Sequence, residues 1–174
     1  FIHGEVDHET MDRANVKQAK AVIVLADETL DPFSRDAKTV LTTLTIKTLN
    51  PEVYTCVEIV ETKNSRHCQM AKADEVIIIG ELSTNLLVQA ALDHGITRIV
   101  TELVSNRHGN EFYKISPPAA FIGSTFFSVL MNLKEKHGIL PVAVESVEED
   151  KFIINPPGDY IIKDKDQLII IAQT

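Results

Sequence analysis

The sequence is short of cysteine, of basic residues and of long apolar runs, and each shortage excludes a class of protein. Two cysteines, Cys56 and Cys68, make no secreted disulfide framework, and their spacing is not that of a zinc site. A reducing, intracellular setting is the expectation. Seventeen Lys and Arg against 25 Asp and Glu leave a formal charge of −8. A general nucleic-acid binder neutralises phosphates with a basic surface, so that function is not expected. The deficit is shared along the chain: 11 positive and 16 negative side chains precede residue 111, and 6 and 9 lie from residue 111 onward. No apolar run nears the ~20 residues that span a bilayer. The longest, around Val76–Ile79 and Leu168–Ala172, are strand-sized, so this segment is not expected to insert into a membrane. The six histidines are scattered without an H-E-x-x-H pattern, and none of the seven glycines forms G-x-G-x-x-G.

What is present is ample apolar material. At 44% apolar over 174 residues, the chain can build one ordinary domain or two small ones. Ala21–Leu25, Tyr54–Val60 and Glu75–Ile79 read as strands buried on both faces. Helical patterns lie between and after them. In Ser34–Leu49 the residues Ala37, Val40, Leu41, Leu44 and Thr48 share one face, Ser34 reads as the N-cap, and Asn50-Pro51 ends the helix. Asn64–Lys72 is a second helix and Leu82–His94 a third, with Gly95 as its C-cap. This alternation implies a Rossmann-like parallel sheet with right-handed crossovers. A complete one opens on a strand, a Gly-rich turn and a helix. The chain begins instead with Phe1-Ile2-His3, itself strand-like, and with no signal peptide. The expectation is an N-terminally truncated lobe in a piece of a larger protein.

The pattern changes at the polar Ser105–Asn110 segment, read as a linker. Beyond it come strands at Phe112–Ile115, Leu140–Glu145, Phe152–Ile154 and Leu168–Ala172, with a helix near Thr125–Lys136. These make a small α+β subdomain. Its Asn155-Pro156-Pro157-Gly158-Asp159 turn is rigid and sets geometry, because proline fixes φ and lacks an N–H.

In open α/β sheets ligands bind beyond the carboxyl ends of the strands. Asp27, Glu28 and Asp31 follow the first strand, Asp36 lies in the first turn of the next helix, and Glu58 and Glu61 lie near the end of the second strand. If those strands are neighbours, Asp36 and Glu58 converge on one rim, where hard oxygen ligands suit Ca²⁺ or Mg²⁺. A second reading is open for Asp36, since a helix N-terminus favours a carboxylate by itself. For Asp27, Glu28 and Asp31 a solvated acidic loop is the favoured reading over a ligand rim. Glu58 alternates with Tyr54 and Cys56 inside an apolar strand, where it needs a partner or an ion unless it is exposed at the strand's end. No histidine is placed to activate either cysteine, and no rim His, Lys or Tyr suits hydride transfer; an NAD-dependent oxidoreductase is the least favoured reading, and no enzyme is expected. Leu82–His94 and Thr97–Val104 carry more apolar surface than one sheet face can cover, so a helix pair packing on another subunit is expected.

Several segments together resemble the RCK family, the regulators of K⁺ conductance. They are Phe1-Ile2-His3-Gly4-Glu5, Arg13-Ala14-Asn15-Val16, Ala19–Ile23, Asp36-Ala37-Lys38-Thr39, Asn50-Pro51-Glu52-Val53, Ala73–Ile77, Asn155–Tyr160 and Asp166-Gln167-Leu168. The resemblance implies a partial Rossmann-like N-lobe over 1–81, a helical crossover and linker over 82–110, and a small α+β C-lobe over 111–174. It implies no catalysis. It implies a domain that pairs with itself through residues such as Leu86, Leu87, Ala90, Ile99 and Val100, and that builds an octameric ring. Such a ring acts on a K⁺ channel pore domain at the cytoplasmic side of the cell membrane. The implied ligands are Ca²⁺, held by Asp36, Glu58 and Glu61, and in the complete domain NAD(H) or ATP/ADP. A family acid two residues after Glu58 is Val60 in this chain, with Glu61 as the substitute. The alternative implied by the same resemblance is a nucleotide-gated regulatory subunit of a K⁺ transporter.

Overall fold

In the computed structural model, which describes residues 2, 4, 6–105 and 109–173, three strands form a parallel sheet in chain order. They are β1 (Ala21–Val24), β2 (Tyr54–Ile59) and β3 (Glu75–Ile78), with Val24 opposite Val57 and Glu58 opposite Ile77. Helices fill the connections, as the apolar runs require: α2 (Pro32–Leu49) joins β1 to β2, and α3 (Ser65–Met70) joins β2 to β3. A short α1 (His8–Arg13) precedes β1 and α4 (Ile79–Leu92) follows β3 directly. The chain divides into two compact units, residues 1–89 and 90–174, with the division inside α4. Phe1 and His3 of the expected first strand, and residues 106–108 of the expected linker, lie outside the described residues.

Two local readings are corrected in α2. Its N-cap is Asp31, not Ser34: the Asp31 carboxylate accepts the amides of Phe33 and Ser34, and Pro32 occupies the first turn. Its buried face is Asp36, Thr39, Thr42, Thr43 and Ile46, whereas Leu41 is 65% exposed and Leu44 is also exposed. The threonines satisfy their hydroxyls locally. Thr43 donates to the Thr39 carbonyl at 2.7 Å, and Thr39 donates to the Glu58 carbonyl on β2 at 3.3 Å. Of the expected apolar stripe, Leu41 and Leu44 face outward, while Val40 packs against the core. The core of this unit gathers Val16, Val24, Ile46, Val53, Val57, Ile59 and Cys68.

The second unit holds α5 (Ile96–Val104), β4 (Asn110–Ile115), α6 (Phe126–His137), β5 (Leu140–Ser146), β6 (Lys151–Ile154) and β7 (Gln167–Gln173). The strands form an antiparallel sheet in the order β4-β7-β5-β6. α6 packs Phe126, Val129 and Leu133 against Val144, Leu168 and Ile170 on one face of it. Gly95, expected to close α4, has φ 95° and stands at the N-cap position of α5; α4 itself ends at Leu92. The Pro-Pro-Gly turn has a structural task. The carbonyls of Tyr160 and Gly158 accept the amides of Phe126 and Phe127, which have no partner inside α6. Asp166 holds the turn's far end, accepting the Lys163 amide at 2.9 Å and the Tyr160 hydroxyl at 3.0 Å.

Candidate functional site

Parallel pairing of β1 and β2 brings the acidic residues to one end of the first sheet, at the strands' carboxyl ends. Asp36 is 1% exposed, and both of its oxygens are occupied. One accepts the Val60 amide at 2.8 Å; the other accepts the Glu61 amide at 3.1 Å and the Asn64 side-chain amide at 2.7 Å. Asp36 therefore ties α2 to the turn that follows β2. Glu58, half-buried on the Tyr54 and Cys56 side of β2, finds the partner that its position demands: it accepts the Ala26 amide at 3.1 Å, just beyond β1. Glu61 is paired with Lys63 at 3.0 Å.

The loop after β1 is equally self-satisfied. Asp27 accepts from the Lys38 ammonium at 2.7 Å and from the Thr29 hydroxyl and amide, and these donors hold its carboxyl far below the usual carboxylate range. Glu28 contributes its carbonyl, which accepts from the Arg35 guanidinium at 2.6 Å, while its carboxylate side chain is exposed. Arg35 also donates to the Leu30 carbonyl at 2.6 Å.

These carboxylates share a rim but do not form a coordination shell. Ca²⁺ takes 6–8 oxygens, and among the described residues no group of three or more His, Cys, Asp and Glu side chains stands where it could hold a metal. The sequence-predicted set of Asp36, Glu58 and Glu61 is thus turned toward N–H donors. A cation could use Asp36 only after Val60, Glu61 and Asn64 gave it up. Burial pushes the thiols of Cys56 and Cys68 up, the reverse of what a nucleophilic cysteine needs.

Sequence reasoning missed Asn64, Arg35, Lys38 and Glu81. Asn64, expected inside the second helix, stands at the N-cap position of α3 without a side-chain cap bond, and its amide donates to Asp36 instead. Glu81, in the first turn of α4, accepts the Thr62 hydroxyl in a very short hydrogen bond. It shares with Val60, Gly80, Thr84 and Asn85 an open cleft of about 660 Å³ at the carboxyl ends of β2 and β3. The rim is thereby joined to α4. That helix buries none of its residues. Of the expected interface, Leu87 is 72% exposed and Ile99 is also exposed, while Leu86, Ala90 and Val100 are half-buried.

Residues 80–174 match the family described as Castor and Pollux, part of voltage-gated ion channel. The chain belongs to this family. Residues 1–79 match the TrkA-N domain, and the two matches together bear out the resemblance to RCK domains. The calcium-gated potassium channel TvoK of Thermoplasma volcanium is 25% identical over 177 residues, covering 99% of this chain and 50% of the channel. The calcium-activated potassium channel slo-1 of Caenorhabditis elegans is 24% identical over 204 residues, covering 100% of this chain and 18% of the channel. The chain thus spans half or less of these relatives. The human SLO3 gating ring superposes with a TM-score of 0.80 at 22% identity, covering 100% of this chain and 36% of that one, which shows a shared fold. The named relatives are ion channels rather than enzymes. Among the described residues no helix is long and apolar enough to cross a membrane.

Proposed function

We propose that this chain is a ligand-sensing regulatory domain of a K⁺ channel, which assembles with copies of itself and transmits ligand binding at the sheet rim to the pore. One observation carries the reading: the rim is connected to an uncovered apolar helix. Asp36 grips Val60 and Glu61; the next residue, Thr62, donates to Glu81; and Glu81 begins α4. A ligand that rearranges the turn after β2 acts directly on the start of that helix. α4 and α5, through Leu86, Leu87, Ala90, Ile99 and Val100, form the self-association surface, with a ring such as an octamer as the product. The K⁺ channel pore belongs to the same parent chain, and the ring lies at the cytoplasmic side of the membrane. Sensing requires two arrangements of the rim that differ in ligand affinity. The donor-satisfied rim is one of them.

The names of TvoK and slo-1 make Ca²⁺ the first ligand to test. Asp36, Glu58 and Glu61 are the proposed acceptors, on condition that the N–H donors on Asp36 are exchanged. Calorimetric titration with Ca²⁺, with Mg²⁺ as comparison, should show saturable binding selective for Ca²⁺ that Glu58→Gln removes. Absence of a binding heat would overturn the calcium assignment and transfer the test to nucleotides, with self-association judged separately by light scattering.

A further inference from the structure

The start of α6 is seated on a segment outside the sheet. Gly123 donates to the Ile162 carbonyl at 2.8 Å, Ile162 donates to the Ser124 carbonyl at 3.0 Å, and Phe126 donates to the Tyr160 carbonyl at 2.7 Å. Asp166 ties that segment to the end of β7. Its Oδ2 accepts the Lys163 amide and the Tyr160 hydroxyl. Its Oδ1 is buried and has no hydrogen-bond partner in the protein. Ser146 Oγ is in the same condition, and among the described residues these two are the buried side-chain polar atoms left without a partner.

The sheet brings the two atoms together. Glu145 of β5 stands opposite Gln167 of β7, so the next residues outward, Ser146 and Asp166, face each other across the end of that ladder. Alternation puts both on the side of Val144 and Leu168, beneath α6, and both are 0% exposed. Opposed side chains on one face have Cβ atoms about 4.5–5.5 Å apart. Tyr160 marks the same spot: burial pushes its phenol up, and the nearby Ser146 hydroxyl opposes that rise. A carboxylate oxygen and a hydroxyl left unpaired in an interior are costly, and groups of this kind are ordinarily joined by ordered water. The oxygen set is too small for a divalent cation. Ca²⁺ takes about 6–8 oxygens and Mg²⁺ a near-octahedral shell, and among the described residues no group of three or more His, Cys, Asp and Glu stands where it could hold a metal. A buried water needs about 2–4 polar partners, and Ser146, Asp166 and Tyr160 supply them.

We propose that the second unit binds one ordered water molecule between Ser146 Oγ and Asp166 Oδ1, at the end of the β5–β7 ladder, as a fixed part of its core. The water donates one proton to Asp166 Oδ1 and bonds to the Ser146 hydroxyl, with the Tyr160 phenol as third neighbour. It completes the carboxylate that holds Tyr160 and Lys163, and through Tyr160 it steadies the seat of α6. The site belongs to the second unit alone and does not depend on which ligand the rim of the first sheet takes.

Crystals of the full chain, grown with Rb⁺ as the alkali cation, test the site directly. The expected result is an ordered peak within hydrogen-bond distance of both Ser146 Oγ and Asp166 Oδ1 that carries no anomalous signal. A Ser146 hydroxyl bonded straight to Asp166, or no peak between them, overturns the proposal. An anomalous peak overturns it in favour of a monovalent cation. In solution, Ser146→Ala removes the hydroxyl whose own proton could imitate a water. A nuclear Overhauser effect from long-lived water to the methyl group at position 146 is expected in that variant, and its absence counts against the site. The same variant should speed hydrogen exchange of the Lys163 amide roughly threefold to tenfold, the scale of one lost hydrogen bond, while the amides paired between β4 and β7 keep their rates. Equal acceleration of both sets would deny the water its anchoring role.

Discussion

Asp36, buried in the second turn of α2, accepts the backbone amide of Val60 beyond the carboxyl end of β2 at 2.8 Å. The same carboxylate takes the Glu61 amide and the Asn64 side chain, so one acid closes three donors around the turn that leads to Thr62 and Glu81. Asp36→Asn keeps the shape but turns an acceptor into a donor facing donors. The expected cost is about 1–3 kcal/mol. That corresponds to a melting temperature lower by roughly 4–8 °C for each kcal/mol in a unit of this size, read by thermal denaturation. Unchanged melting would deny Asp36 its role in holding the turn.

α2 supplies a comparison of faces. Ile46 is fully buried against β2, whereas Leu41 stands in solvent within the chain. Ile46→Ala should therefore destabilise by about 2–5 kcal/mol, while Leu41→Ala should stay within about 0.5 kcal/mol. Urea denaturation of both variants checks this. Equal losses would mean that the hydrophobic stripe, not the threonine stripe, faces the sheet.

Tyr54 and Glu75 give a pH prediction. The Tyr54 hydroxyl donates to Glu75 at 2.7 Å, and this bond, aided by burial and by the carboxylate's charge, pushes the phenol up to about 12. A neutral acid with a raised folded pKa stabilises the fold below its unfolded value of about 10, and loses that contribution as pH rises through the folded one. Tyrosinate absorbance should show one tyrosine titrating late, and Glu75→Gln should bring it back toward the ordinary range.

Leu87 tests assembly without testing the fold. It contributes little burial within the chain, so Leu87→Glu should leave monomer stability within about 0.5 kcal/mol. The same change should lower the mass seen by light scattering at a given concentration. A variant that keeps its mass would remove α4 from the interface.

The alternation of β1, α2, β2, α3 and β3 was legible because predominantly apolar runs of strand length, separated by helical periodicity, have few other uses. The α+β unit was legible for the same reason, and Thr125 and Gly138 mark the ends of α6 as caps should. Glu58 was legible as a carboxylate in need of a partner, because strand alternation fixes its neighbours. The core face of α2 was not. Periodicity weighs Leu41 and Leu44 above Thr39 and Thr43, and only packing against β2 shows that slim β-branched side chains take the close side. Asn64 and Glu81 were invisible because their partners, Asp36 and Thr62, lie 28 and 19 positions away.

The sequence by itself determined the strand and helix types, their order, the acidic rim and the apolar surplus of Leu82–Val104, since each is a property of composition or of local period. Tertiary structure decided what those residues do. Whether Asp36 meets a cation or an amide depends on which backbone the fold brings within 3 Å of it. Whether α4 is core or surface depends on what lies across from it, and neither distance is written in the spacing of residues along the chain.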